Sequence, residues 1–207
     1  MNAILSLGMG YLIGCISPSA WISKKKNVDL RKEGTKNLGA TNTALVLGKA
    51  AGIFVMVFDI AKSFFSYKLA RVLFPQLAIA GIIACIGAIL GHCFPVFMNF
   101  QGGKGLAAFG GLVLAYKPAI FAAIVIPGVI LMAILNTGVA VPMLASVMFP
   151  VLVYLDSGRW DEVIAVIVAC VIIVIMHWQN LKRAWDRKDV VNTRQFFEKV
   201  FQKKQDR

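Results

Sequence analysis

Residues Leu77–Phe97 read LAIAGIIACIGAILGHCFPVF and hold no Asp, Glu, Lys or Arg. A helix needs about 20 apolar residues to cross the hydrocarbon core of a bilayer, so this stretch alone is long enough to span. Comparable runs flank it. Ala3–Ile22 comes before it with no charge inside, followed by Gly52–Val72, which carries Asp59, Lys62 and Lys68. Ala119–Leu135, Val139–Leu155 and Val163–His177 come after it, and Leu106–Tyr116 is a shorter piece, half-length or tilted. The expected architecture is all-α and polytopic, with about seven transmembrane helices, or about six if the short piece does not cross.

Composition agrees. Of 207 residues, 58% are hydrophobic and 15% charged, too apolar and too poorly charged for a soluble domain or a disordered chain. The net charge of +12 would ordinarily suggest a nucleic-acid partner, but the apolar runs direct it to a membrane surface and no nucleic acid is expected. Cys15, Cys85, Cys93 and Cys170 sit in or beside apolar runs without CxxC spacing. They read as small buried hydrophobes, not a disulfide framework.

The basic residues set the orientation. With seven spans and the N-terminus outside, the inner loops hold Lys24, Lys25, Lys26, Arg31, Lys32, Lys36, Lys49 and Lys104, and the basic tail 178–207 adds nine more cations. Lys68, Arg71, Lys117 and Arg159 remain outside, near the acidic turn Asp156–Glu162. The C-terminus is then cytoplasmic. The first run has no basic residue before it, so it reads as an uncleaved signal anchor. The whole of 1–207 forms a single integral membrane domain.

Two GxxxG spacings, Gly10–Gly14 and Gly87–Gly91, suit close helix packing. Pro127, Pro142 and Pro150 are expected to kink their helices. An amphipathic helix over about 193–204, capped by Thr193 and with Phe196, Phe197, Val200 and Phe201 on one face, is expected to lie on the inner leaflet.

Three polar clusters fall on the inner face of this arrangement. Asp29–Asn42 reads DLRKEGTKNLGATN and combines glycine turns with Arg31, Lys32 and Lys36. Free amides at such turns attract anions. Gly91–Gly105 reads GHCFPVFMNFQGGKG, with Lys104 among glycines. A nucleotide P-loop is excluded, because Met98 and Gly105 occupy the Gly and Ser/Thr positions that it requires. In His177–Arg183 (HWQNLKR), His177, Asn180 and Arg183 share a helix face. Asp59 and Lys62 stand three apart inside a span, a structural or a functional ion pair.

Read in order, GATN (39–42), Asp59-x-x-Lys62, GHxFPVF (91–97), FxGGKG (100–105) and His177-x-x-Asn180-x-x-Arg183 resemble the bacterial integral-membrane acyl-phosphate:glycerol-3-phosphate acyltransferase family. The resemblance runs from Ser17 to Arg183. It implies seven spans, motifs at the cytoplasmic face of the inner membrane, no metal and no cofactor. The implied reaction moves an acyl group from an acyl phosphate to the 1-hydroxyl of glycerol 3-phosphate, giving lysophosphatidic acid and phosphate. The protein is expected to work as a monomer, coupled to an enzyme that makes acyl phosphate.

Carried over by motif, Lys104, His177 and Asn180 are the expected catalytic residues. Thr35, Lys36, Asn37, Gly39, Thr41, Asn42, His92, Gly102, Gly103, Gly105 and Arg183 are the expected substrate ligands. The acyl chain is placed near Phe94, Phe97 and Phe100. The chain departs from the family pattern in its polar loops. Gly34-Thr35-Lys36-Asn37 replaces Gly-Ser-Gly-Asn, and Leu45 replaces an Arg. Ser63 and Ala108 stand for Gly and Thr, Val139-Ala140-Val141 for Tyr-x-Ser, and Trp178 for an Arg. These losses weaken anion binding and leave two alternatives open: a re-purposed paralogue that binds acyl phosphate or phospholipid, and a small-anion transporter with Asp59 and Lys62 on its pathway.

Overall fold

The computed structural model describes residues 1–186 and 193–201. Every regular element among the described residues is helical. In chain order they are α1 (Asn2–Gly14), α2 (Pro18–Lys25), α3 (Ala40–Leu47), α4 (Lys49–Leu73), α5 (Ala80–Cys93), α6 (Leu106–Tyr116), α7 (Pro118–Leu135), α8 (Ala140–Ser157), α9 (Trp160–Trp185) and α10 (Thr193–Phe201). A single 3₁₀ turn, Val96–Met98, lies between α5 and α6. Among the described residues, six spans are long and apolar enough to cross a membrane: Asn2–Lys25, Lys49–Leu73, Ala80–Met98, Pro118–Leu135, Ala140–Ser157 and Trp160–Trp185. The shorter α6 is about 16 Å long at 1.5 Å per residue, roughly half a hydrocarbon core. Large apolar side chains such as Ile4, Ile134 and Val147 face outward, as they do against lipid.

The first span is not one helix. It breaks at Cys15–Ser17, and α2 restarts with Pro18 at its first position under a Ser17 cap, whose hydroxyl accepts from Ala20 N at 3.4 Å. Ser-Pro is a helix start, so the expected first span, Ala3–Ile22, is built from two helices within Asn2–Lys25. Pro127 and Pro150 lie inside α7 and α8, as expected. Pro142 falls in the first turn of α8, where a missing N–H breaks no helical bond, and so it makes no kink.

The two GxxxG motifs meet each other. A Cβ on Gly10 or Gly14 would lie 1.9 or 2.2 Å from the carbonyl oxygens of Ala84 and Ala88. One on Gly87 or Gly91 would lie 2.1 Å from those of Leu7 and Tyr11. Glycine is therefore needed on both helices for α1 and α5 to touch backbone to backbone. Gly87→Ala is expected to cost about 1–3 kcal/mol and to lower the thermal midpoint in detergent. Gly8→Ala, with nothing within 4 Å of the new methyl, is expected to leave it unchanged. Equal midpoints would refute this packing.

Behind α5, an apolar core joins α5, α6, α8 and α9. The Phe149 ring stands edge-on to Phe109 and Tyr116, with centroids 5.8 and 5.9 Å away. α10 starts on Thr193 itself, and the Thr193 hydroxyl donates to Met132 O at 3.4 Å instead of serving as the expected cap. Arg194 N donates to Asn136 Oδ1 at 3.0 Å. These bonds moor α10 to the turn between α7 and α8. Phe196 and Val200 are half-buried, while Phe197 is exposed. The remainder of the expected tail helix, 202–204, lies outside the described residues.

Candidate active site

One cavity of about 400 Å³ gathers residues from seven separate stretches of sequence. Its polar end is lined by Thr35, Asn37, Gly39 and Thr41 from the α2–α3 loop and α3, by His92 and Asp59, by Lys104 and Gly105, and by His177, Asn180 and Arg183. Its apolar end runs along Met56 and Ile60 of α4, Phe109, Gly110 and Val113 of α6, Phe121, Ile124 and Val125 of α7, and Val141 and Ala145 of α8. A charged end and a hydrocarbon end thus share one space.

The polar end is built to hold anions. Lys104 Nζ donates to Asn180 Oδ1, which aims the ammonium into the cavity. Among the described residues neither Lys104 nor Arg183 has an acidic partner. The α6 N-terminus lies beside Lys104, and its first amides, those of Leu106 and Ala107, have no helical carbonyl to bond. The α3 N-terminus, at Gly39–Thr41, opens on the same space. Burial, and then the neighbouring Arg183, hold the Lys104 pKa below the ordinary lysine value.

His177 has a fixed tautomer. Its Nδ1 lies 2.9 Å from Ile173 O, and a carbonyl can only accept, so Nδ1 carries the hydrogen. In the neutral ring Nε2 is then the free proton acceptor. His92 is held differently. Its Nδ1 lies 3.3 Å from Asp59 Oδ1 and 3.1 Å from Lys62 Nζ. Gly103 packs on the other side of the ring, where an added Cβ would come within 2.2 Å of Nε2.

Lys62 is bonded to backbone carbonyls and to Asp59. It pairs with Asp59 Oδ1 at 2.8 Å and donates to Gly14 O and Ile16 O at 3.0 and 2.9 Å. Those carbonyls are the loose end left by the break after α1. The pair therefore caps a broken helix from inside the membrane, and only Asp59 of the two reaches the cavity wall.

Several expected ligands are otherwise engaged. Asn42 is fully buried; it accepts from Thr35 N at 2.6 Å and donates to Leu30 O and Asn37 O at 2.7 and 2.8 Å. It shapes the loop and does not reach the cavity. The Gly102 and Gly103 amides donate to Cys93 O and His92 O at 3.1 and 3.0 Å, so they are spent on folding the loop. The free amides lie three to five residues further on, at the start of α6. Lys36, in the left-handed region at φ 57°, is exposed and stands outside the cavity wall. Asn37 lines the cavity, but its side chain already bonds Thr35 Oγ1 and Gly39 N at 3.0 and 2.9 Å. Phe94, Phe97 and Phe100 are exposed and lie off the cavity wall; the apolar groove of the cavity runs between α4, α6, α7 and α8 instead. Sequence reading missed this groove because its residues look like ordinary span residues.

Of the departures from the family pattern, Thr35, Val139 and Val141 lie on the cavity wall. Leu45 is half-buried on α3 outside it. Trp178 is exposed, with Lys182 Nζ 5.7 Å above its ring.

Comparison with known proteins agrees with this geometry. Residues 4–187 match a family model described as glycerol-3-phosphate acyltransferase. A glycerol-3-phosphate acyltransferase of Macrococcus caseolyticus is 38% identical over 88% of this chain and 93% of its own. One from Enterococcus faecalis is 33% identical, with 88% of each chain covered. The crystal structure of PlsY (YgiH), an integral membrane glycerol 3-phosphate acyltransferase in its glycerol 3-phosphate form, superposes with a TM-score of 0.83 at 27% identity. It covers 91% of this chain and 94% of that one. The same protein's lysophosphatidic acid form gives 0.81 at 26% identity.

Proposed function

Because this chain belongs to the glycerol-3-phosphate acyltransferase family, and is an integral membrane acyltransferase of phospholipid synthesis with glycerol 3-phosphate as its acceptor, we propose that its donor is an acyl phosphate. The observation carrying this reading is a single cavity that pairs Lys104 and Arg183, which have no acidic partner among the described residues, and two helix N-termini with an apolar groove. A donor with a phosphate on one end and a hydrocarbon chain on the other fits both halves.

Lys104 and the Leu106 and Ala107 amides bind the donor phosphate, and the acyl chain runs into the groove. Thr35, Thr41 and Arg183 hold the phosphate of the acceptor. Placing both substrates in contact supplies much of the acceleration. The acceptor's 1-hydroxyl oxygen attacks the donor carbonyl carbon. A new C–O ester bond forms, the bond from that carbon to the phosphate oxygen breaks, and phosphate leaves. The hydroxyl proton goes to the departing phosphate or to His177 Nε2. His177→Gln separates these routes: loss of the acidic limb of the pH–rate profile assigns the proton to His177, and an unchanged limb assigns it to phosphate. An acyl phosphate is already activated, so transfer is direct. The buried cysteines lie off the cavity wall, which supports that route.

The basic loops support a cytoplasmic active site in a bacterial inner membrane, with the N-terminus outside and α6 as a half-length seventh crossing. Monomeric action, with acyl phosphate supplied by a separate enzyme, completes the reading. The test is acceptor-dependent phosphate release by the purified protein in lipid. Phosphate release from acyl phosphate supports the donor; lysophosphatidic acid formed from acyl thioesters, which free a thiol instead, and not from acyl phosphate refutes it.

The Lys104 pKa gives a pH prediction. The ammonium binds the donor phosphate below its pKa, so affinity falls as pH rises through that value. Because the value is depressed, KM for the donor is expected to rise at lower pH than an ordinary lysine, about 10.4, would allow. Lys104→Arg, charged throughout, is expected to remove that alkaline rise. A rise that persists in Lys104→Arg would refute the assignment.

A further inference from the structure

We propose that Gly110, facing Phe121 across the apolar half of the cavity, sets how much of the donor's acyl chain the groove accepts. The inference rests on the acyl-transfer reading above. Glycine weakens the middle of a helix relative to alanine, so two consecutive glycines in α6 need a reason. Gly111 has one in helix packing, since a Cβ there would lie 2.3 Å from Ile60 O and 2.8 Å from Ser63 Cβ on α4. Gly110 has no such neighbour. The one heavy atom within 4 Å of an added Cβ is Phe121 Cε2, at an ordinary contact distance of 3.7 Å. The space a side chain would fill is therefore the groove itself, which Gly110 and Phe121 both line.

Position along the helix makes this a question of chain length. The anion-binding end of α6 is at Leu106. Gly110 lies about 6 Å further along the axis and Val113 about 10 Å, at 1.5 Å per residue. A short acyl chain anchored at the α6 N-terminus stops before Gly110, whereas a long one must pass between Gly110 and Phe121. A leucine at position 110 occupies that passage without touching the anion end. Each methylene kept out of an apolar site costs about four-fold in affinity. A leucine side chain displaces about three methylenes, so a selective loss above ten-fold is expected.

The experiment compares butyryl, octanoyl and palmitoyl phosphate as donors to wild type, Gly110→Leu, Gly110→Ala and Phe121→Ala in lipid. Gly110→Leu is expected to lower kcat/KM for palmitoyl phosphate more than ten-fold. It should leave butyryl phosphate, and KM for glycerol 3-phosphate, within about two-fold of wild type. Gly110→Ala should fall between, and Phe121→Ala should shift preference toward the longest chain. Equal losses at every length, or no change at any length, overturn the proposal. If Gly110→Leu does not fold, the opposite shifts of Gly110→Ala and Phe121→Ala decide it. If wild type turns over no acyl phosphate, the donor reading fails by itself. The groove is then tested by the thermal stabilisation that lysophosphatidic acids of the same chain lengths give to wild type and variants. Length-independent stabilisation overturns it.

Discussion

Lys104→Met is expected to cut kcat/KM for acceptor-dependent phosphate release by about 10³-fold, with the protein still folded. Methionine keeps the apolar stem and removes only the charge. Lys104 projects from the loop ahead of α6, held by Asn180, and lines the cavity beside the free amides of that helix. It has no acidic partner among the described residues, so no buried anion is stranded by its loss. What is lost is the positive charge opposite the phosphate that leaves. Removing one such pre-aimed donor costs about 10²–10³-fold in other acyl-transfer sites, and a full charge on a dianion sits at the upper end. Asn180→Ala is expected to cost less, since the ammonium stays but loses its orientation. The measurements are phosphate release in lipid and the thermal midpoint in detergent. Lys104→Met keeping more than a tenth of wild-type activity would remove Lys104 from the mechanism.

Lys62→Met is expected to damage the fold and only through it the activity. The change leaves the buried Asp59 carboxylate with only His92 beside it and leaves Gly14 O and Ile16 O without their donor. Breaking a buried pair from one side costs about 3–5 kcal/mol, or roughly 10 °C in midpoint for a chain of this size. Asp59→Asn, which still offers an oxygen to the Lys62 ammonium, is expected to cost less. A double-mutant cycle between Asp59 and Lys62 should show strong coupling in stability. A normal midpoint with lost turnover in Lys62→Met would instead place Lys62 in the chemistry.

Much of the site is legible in the residues themselves. His177, Asn180 and Arg183 follow from helical spacing alone, and all three reach the cavity. Lys104, Thr35, Gly39 and Thr41 follow from their polar loops and the family resemblance, and they line it too. The misreadings share one cause. Gly102 and Gly103 look like an anion nest, yet their amides close on Cys93 and His92. Asn42 looks like a ligand, yet three backbone groups occupy its amide side chain. Composition reveals which groups are able to bind a phosphate, not which of them the fold has already used.

The sequence by itself determined that this is an all-helical membrane protein, which family it belongs to, and where its cations fall. Those properties are local: apolar length decides whether a segment spans, and a spacing of three or four decides which residues share a helix face. Only the tertiary structure decided the partners. Gly10 and Gly14 meet the backbone of α5, Lys62 caps the end of α1 from a different span, and Gly110 opens onto Phe121 of the next helix. Each is a contact between residues distant in the chain or on different helices. Its energy depends on how those helices cross, which residue type and local spacing do not encode.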